Sequence, residues 1–199
     1  LATRFYGAID RREFSDLDIL VKREQVGAVE LLLRGAGYAR KSRVLFSTAV
    51  TSRFTHAFDF AKGNVSVDLH WLLSANAAHY LDYEAIWRQR QNFILRGQDF
   101  LVLSDEHEIA FKLISIFKDL EISAIHLKSF VDLYFILSAV SPGLDWKEFL
   151  EHRRREKILR ISVNVLAFFF ELFNCRHRFP DVASGKVRAR PPVKQVNIP

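Results

Sequence analysis

The chain has 199 residues, a formal net charge of +6 at pH 7 and a hydrophobic fraction of 49%, and this suffices for a substantial buried core. A single cysteine, Cys175, excludes an internal disulfide framework and fits the reducing cytosol, so a cytoplasmic location is expected. The strongest apolar run, residues 165–170, is too short to span a bilayer. We therefore expect a buried helix there and no membrane partner.

Two carboxylates stand two residues apart in the first predicted strand, residues 14–21. Asp16 and Asp18 share one face of that strand because side chains alternate. Leu17 and Ile19 point to the opposite face and are expected in a core. Two acids converging at a strand edge can hold a divalent cation such as Mg²⁺, which takes oxygen ligands and keeps positions open for phosphates. A solvated strand end is the alternative interpretation.

A helix and three strands are predicted next. The helix covers residues 23–34 and ends at Gly35 or Gly37. Its expected apolar stripe comprises Val26, Val29, Leu32 and Leu33. The predicted strands are residues 43–50, 53–60 and 65–72. Gly63 and Asn64 suit a turn between the last two strands, so these elements predict a small sheet.

A third acid, Asp68, lies on the last of these strands, two residues before His70 and on the same face. If that strand lies beside the first one, its carboxylate meets those of Asp16 and Asp18. Three acids can bind two Mg²⁺ ions about 4 Å apart, which clamps the attacking and leaving oxygens of a displacement. His70 is interpreted either as a group that orients an acid or as part of a half-exposed strand.

The second half of the chain is predicted to be mostly helical. Asp82 and Ser104 each stand where a helix would begin, and both suit an N-cap position. Between them, residues 92–95 and 100–103 are predicted to form a hairpin around Gly97. Further helices are predicted over residues 124–139, 145–153 and 156–174.

These elements predict an α+β fold, in which a small mixed sheet flanked by helices is followed by a mostly helical C-terminal half. The expected parts are residues 1–103 as the α/β core and residues 104–175 as a helical region. Residues 176–199 form a basic, proline-containing tail that is expected to be extended or disordered.

Much of the positive charge lies in Arg153–Arg155 and between Arg176 and Lys194. A solvated helix end and a loose tail are the preferred interpretation. A nucleic-acid partner is not favoured, because no basic strand with interleaved aromatic residues accompanies these charges. An RNA-binding domain that uses the tail as its main contact stays an alternative.

Four segments stand in a defined order along the first half of the chain: Arg11–Val21, Gly35–Tyr38, His56 and Val67–Trp71. Together they resemble a group of uncharacterised bacterial nucleotidyltransferases in the polymerase-beta-like superfamily. Downstream, Glu106–Glu108 and Leu127–Leu133 resemble the helical region of that family. The resemblance covers roughly residues 4–140.

The resemblance implies transfer of a nucleoside monophosphate from a nucleoside triphosphate to an acceptor that it does not identify. It assigns metal binding and catalysis to Asp16, Asp18 and Asp68, with a two-ion Mg²⁺ site that Mn²⁺ could also occupy. The α/β core would then be a nucleotidyltransferase-like core.

Four further residues are predicted to contact the nucleotide: Ser15, Arg12, His70 and Lys128. Lys128 would reach the triphosphate while Asp132, four residues later, orients it. A surface pair between these two residues is the alternative. Arg12 could equally be a solvated loop residue, and Ser15 could equally begin the strand.

The chain departs from the family upstream of the two acids. Members usually carry a Gly-Ser or Lys-Gly pair there, which grips the triphosphate, whereas here Gly7 is followed by Ala8. One interpretation is a fragment that lacks its N-terminal helix. The alternative is a catalytically inactive binding or regulatory module, for instance an antitoxin-like subunit.

Overall fold

The computed structural model describes residues 1–41, 47–74, 76, 79–123 and 125–184. The chain divides between residues 77 and 78 into two compact units, and Leu1 belongs to the second of them. The predicted hairpin therefore lies in the second unit. The expected division of the chain at residues 103 and 175 stays a prediction.

The first unit contains a four-stranded mixed sheet. Its elements are α1 (Ala2–Phe5), a 3₁₀ turn (Ile9–Arg11), β1 (Asp16–Leu20), a 3₁₀ turn (Arg23–Gln25), α2 (Val26–Gly35), β2 (Ala39–Arg40), α3 (Thr48–Thr51), β3 (Ala57–Lys62) and β4 (Val65–His70). The strand order is β1-β4-β3-β2, with β1 parallel to β4 and the other neighbours antiparallel. The predicted α+β class with a small mixed sheet is thus confirmed.

One face of this sheet forms the core of the unit. Phe60 and Leu69 are completely buried there, and Val26 of α2 packs into the same cluster. The rings of Phe58 and Trp71 meet edge to face at 4.6 Å. Each such buried side chain contributes about 1.5–3 kcal/mol. The opposite face is left to the polar residues that alternate with them.

The prediction that Leu17 and Leu32 are buried in the core is wrong. Leu17 is 56% exposed, because β1 is an edge strand and the packed cluster reaches Ile19 but not Leu17. Leu32 is 72% exposed, whereas the other three residues of its predicted stripe, Val26, Val29 and Leu33, pack into or against the core cluster. Glu30 of the same helix is also buried and lies 3.6 Å from the guanidinium of Arg40.

Two predicted strands differ from the structure. The strand predicted over residues 43–50 overlaps the helix Thr48–Thr51, and residues 42–46 lie outside the described residues. The next strand begins at Ala57 rather than at residue 53. The hydroxyls of Thr51 and Thr55 donate to carbonyls four residues back, at 3.0 and 3.1 Å. Such local bonds compete with strand pairing.

The second unit is mostly helical, as predicted. Its elements are α4 (Tyr83–Arg88), β5 (Gln91–Leu95), β6 (Gln98–Val102), α5 (Asp105–Glu121), α6 (Leu127–Val140), a 3₁₀ turn (Ser141–Gly143), α7 (Trp146–Arg155), α8 (Leu159–Phe173), a 3₁₀ turn (Arg176–Arg178) and α9 (Pro180–Ser184). Asp82 and Ser104 cap α4 and α5 through their side chains, and β5 and β6 form the predicted hairpin. The tail predicted to be extended or disordered over residues 176–199 begins instead with the helical segments Arg176–Arg178 and Pro180–Ser184, because Phe179 and Val182 are buried there. Residues 185–199 lie outside the described residues.

Helices α5, α6 and α8 bury the apolar core of this unit, with Leu113, Leu133 and Phe169 fully inaccessible. Among the described residues, no single helix combines the length and the apolar composition needed to cross a membrane. One pair of helical segments, Leu127–Gly143 and Trp146–Arg155, has the required length and composition only when the two are counted together. The chain bends by 116° between them.

Candidate functional site

Three carboxylates lie in one line across the polar face of the sheet. Asp18 of β1 is the direct register partner of Asp68 on β4, and Asp68 is in turn the partner of Asp59 on β3. Register partners on neighbouring strands share a face. The expectation that the strand carrying Asp68 lies beside the one carrying Asp16 and Asp18 is therefore confirmed.

A tighter group within this line could hold a metal ion. Asp18, Asp68 and His70 each offer one donor atom, and these atoms lie within 4.8 Å of one another. Nε2 of His70 stands 3.0 Å from Oδ1 of Asp18. Adjacent ligands of an octahedral ion with bonds of about 2.1 Å are also about 3 Å apart. The spacing thus fits one small divalent cation.

Asp16 lies next to this group rather than within it. Its register partner on β4 is Ser66, two residues before Asp68. The hydroxyl of Ser15 donates to Oδ1 of Asp16 at 3.2 Å. Asp16 is exposed and stays on the same face as Asp18. The predicted residues Asp16, Asp18 and Asp68 thus share a face, while the three-donor group takes His70 in place of Asp16.

The electrostatics of this face favour a cation. The pKa of Asp68 is raised, first by burial and then by three neighbouring carboxylates, Asp59, Asp16 and Asp18. The charge of His70 opposes this rise. A divalent cation would stabilise the ionised carboxylates and so reverse the effect. The donor set, carboxylate oxygens with one imidazole nitrogen, suits Mg²⁺ or Mn²⁺ in the first place.

His70 has a second nitrogen that bears on its role. Among the described residues, Nδ1 is buried and makes no hydrogen bond. The ring of His56 lies 6.1 Å from that of His70. The contact with Asp18 is therefore either a donation from Nε2–H or the approach of two metal ligands, according to the tautomer.

Two residues of this face, Asp59 and Lys41, were not predicted from the sequence as part of the site. Asp59 alternates with Phe58 and Phe60 in the same way as Asp68 alternates with its apolar neighbours, so the pattern was available. Lys41 follows β2, and its ammonium donates to the hydroxyl of Ser66 at 2.9 Å. That contact depends on the strand order and has no local sequence signal.

The other predicted nucleotide contacts lie away from the three-donor group in sequence. Arg12 is half-buried and follows the 3₁₀ turn that ends at Arg11. Lys128 belongs to the second unit, where it is exposed in the first turn of α6. Asp132 is buried in that unit and forms an ion pair with Lys112 at 3.1 Å, a partner that the sequence did not indicate. The roles of Arg12 and Lys128 stay predictions.

The geometry gives an acidic, solvent-facing surface on a rigid sheet, with a place for a divalent cation and a lysine at its side. The model of a protein family described as an uncharacterised nucleotidyltransferase matches residues 1–174 of the chain. No curated protein matches the chain.

Proposed function

The chain belongs to the uncharacterised nucleotidyltransferase family, and on this premise we propose that it transfers a nucleoside monophosphate from a nucleoside triphosphate to an acceptor. The observation that carries the proposal is the donor group of Asp18, Asp68 and His70 on the open face of the sheet. The family match supports a nucleotidyl transfer, and the donor group supports it further by offering a place for the divalent cation that such a reaction needs.

The cation would be held by the carboxylates of Asp18 and Asp68, with His70 as a third ligand or as the donor that orients Asp18. Asp16, two residues before Asp18 on β1, would be available as a ligand for a second ion. When bound, Mg²⁺ or Mn²⁺ supplies positive charge that stabilises the α-phosphate and the leaving pyrophosphate. The imidazole nitrogen makes Mn²⁺ a strong alternative to Mg²⁺.

The transfer forms a bond between the acceptor oxygen and the α-phosphorus and breaks the bond from that phosphorus to the pyrophosphate. The acceptor hydroxyl gives up its proton, which needs a nearby base. Asp59 lies beside Asp68 but outside the three-donor group, and we assign it this role.

The direct test follows pyrophosphate release by the full-length protein supplied with each labelled nucleoside triphosphate, Mg²⁺ or Mn²⁺, and a cell extract as the acceptor source. The double variant Asp18→Asn with Asp68→Asn should lose release by at least about 100-fold. Asp99→Asn, which changes an exposed acid of the hairpin, is the matched control and should behave as the unchanged protein.

Two results would contradict the proposal. One is release that survives in the folded double variant. The other is wild-type protein that releases no pyrophosphate with any triphosphate and either ion, which would favour the catalytically inactive binding module instead.

A further inference from the structure

Two consecutive cations, Arg40 and Lys41, leave β2 on opposite faces of the sheet. Arg40 is the partner of Phe60 on β3, and its guanidinium lies 3.3 Å from the centre of the Phe58 ring, on the core face. The backbone N–H of Lys41 donates to the carbonyl of Asp59 at 2.9 Å and so continues the pairing by one residue. Lys41 therefore shares the acidic face with Asp59.

The side chain of Lys41 crosses this face. Its ammonium donates to Oγ of Ser66 on β4. Lys41 itself adjoins β2, and β3 lies between β2 and β4 in the sheet. Neighbouring strands are about 4.8 Å apart, so the side chain spans most of two strand spacings. The β3 partner of Ser66 is Ala61, whose methyl group leaves room for that crossing.

The ammonium of Lys41 reaches Ser66, which lies next to the three-donor group on the sheet. Ser66 is the register partner of Asp16 and stands two residues before Asp68 on the same strand face. A lysine ammonium carries three donors and binds phosphate as a compact charge. One donor is used on Ser66, and the group is solvent-exposed, so a polyphosphate brought to the acids by a divalent cation would meet it.

We propose that Lys41 binds the polyphosphate of the nucleoside triphosphate, and that Ser66 holds the ammonium in position before the nucleotide arrives. This inference rests on the proposed function and names a binding residue that the sequence did not reveal. The competing explanation is that Lys41 only neutralises the carboxylates of Asp18, Asp68 and Asp59. The two explanations differ in what loss of the lysine does to nucleotides and to bare metal ions.

The test measures dissociation constants by calorimetry on the full chain in Mg²⁺. The probes are the α,β-methylene analogues of the four common ribonucleoside triphosphates, whose α–β linkage cannot be cleaved, and the matching monophosphates. Lys41→Ala should weaken the best-bound triphosphate analogue by about tenfold or more, the worth of a charged hydrogen bond, and leave monophosphate affinity unchanged. Lys41→Arg, which keeps the charge, should restore most of the loss.

Lys62→Ala is the matched control. Lys62 is an exposed lysine of the same sheet, but it donates to the carbonyl of Ala36 at 2.7 Å and alternates away from the acids. Its removal should leave the analogue affinity unchanged.

Three results would overturn the inference. Unchanged analogue affinity in Lys41→Ala would refute the role of Lys41 and leave the proposed function standing. Tighter binding of Mn²⁺ alone by that variant, with an unchanged ratio of triphosphate to monophosphate affinity, would show that the lysine only neutralises the acids. Wild-type protein that binds none of the analogues would refute both the inference and the proposed function.

Discussion

Asp18 and Asp68 are direct register partners across the parallel strands β1 and β4, although fifty residues of chain separate them. Their carboxylates share one face with Nε2 of His70, which lies 3.0 Å from Asp18. Neutralising one of these acids should therefore change cation binding and stability in opposite directions.

Asp68→Asn should remove most of the affinity for a divalent cation, because it deletes one donor of the three-donor group. Without metal the variant should be slightly more stable, by less than about 1 kcal/mol, since it removes the cost of burying a charge and, after that, the repulsion from neighbouring carboxylates. Electron paramagnetic resonance of bound Mn²⁺ and urea unfolding in chelator measure the two effects. Equal Mn²⁺ affinity in the variant and in wild-type protein would remove Asp68 from the ligand set.

Cation binding should strengthen as pH rises through the titration of Asp68. Its pKa lies above the ordinary aspartate value, first because of burial, so protons compete with the metal at a higher pH than an exposed aspartate would show. In metal-free protein the folded state holds this proton more tightly than the unfolded chain does, so this group lowers stability as pH rises through its folded pKa. Calorimetric Mn²⁺ titrations over an acidic pH series provide the measurement, and Asp68→Asn should flatten the curve.

His107 should make the protein sensitive to acid. Burial, and then the charge of Arg153, lower the pKa of this histidine from 6.5 to about 4. Oγ of Ser104 lies within hydrogen-bond distance of Nδ1 of this ring, at 2.7 Å. Between those two pH values the unfolded chain binds more protons than the folded one, so stability rises with pH and falls on acidification. The loss should reach roughly 3 kcal/mol on lowering pH through this window.

Urea unfolding at several pH values between neutrality and pH 4 tests this dependence. His107→Gln should flatten it, whereas His177→Gln, which changes an exposed histidine of the same unit, should leave it as in the wild-type protein. Acid sensitivity that persists undiminished in His107→Gln would assign the effect to other groups.

Arg153→Met should destabilise the second unit by about 3–5 kcal/mol. Arg153 is fully buried and lies 3.1 Å from Glu106 and 2.6 Å from Glu156, so its loss leaves buried negative charge without compensation. Chemical denaturation gives the free energy of unfolding. The neighbouring exposed Arg154 provides the matched control, since Arg154→Met should cost less than about 0.5 kcal/mol. Similar costs for the two variants would mean that the buried cluster does not stabilise the fold.

Much of the candidate site could be predicted from local alternation. Period-two patterns placed Asp16, Asp18, Asp68 and His70 on strand faces, and the order of motifs indicated the family. The fold class followed from the succession of strands and helices. These features depend on neighbours along the chain, which is why a single sequence reveals them.

The features of the fold and the site that could not be predicted depend mainly on how distant segments of the chain pair. The contact from Lys41 to Ser66 requires the order of three strands. The exposure of Leu17 requires the knowledge that β1 is at the sheet edge. Residues 48–51 favour a strand by their composition, yet they form a helical turn, since hydroxyl-to-carbonyl bonds satisfy this backbone locally.

The placement of Arg40 and Lys41 on opposite faces fixes the length of the connection between α2 and β2. A single residue inserted into or deleted from residues 36–38 would shift β2 by one position and exchange its two faces. The lysine would then enter the aromatic core, and the guanidinium would turn toward the acids and lose its contacts with Glu30 and the Phe58 ring. This connection should therefore tolerate changes in sequence far better than changes in length, because a shift of one residue would disturb the core contacts of Arg40 and the bond from Lys41 to Ser66 together.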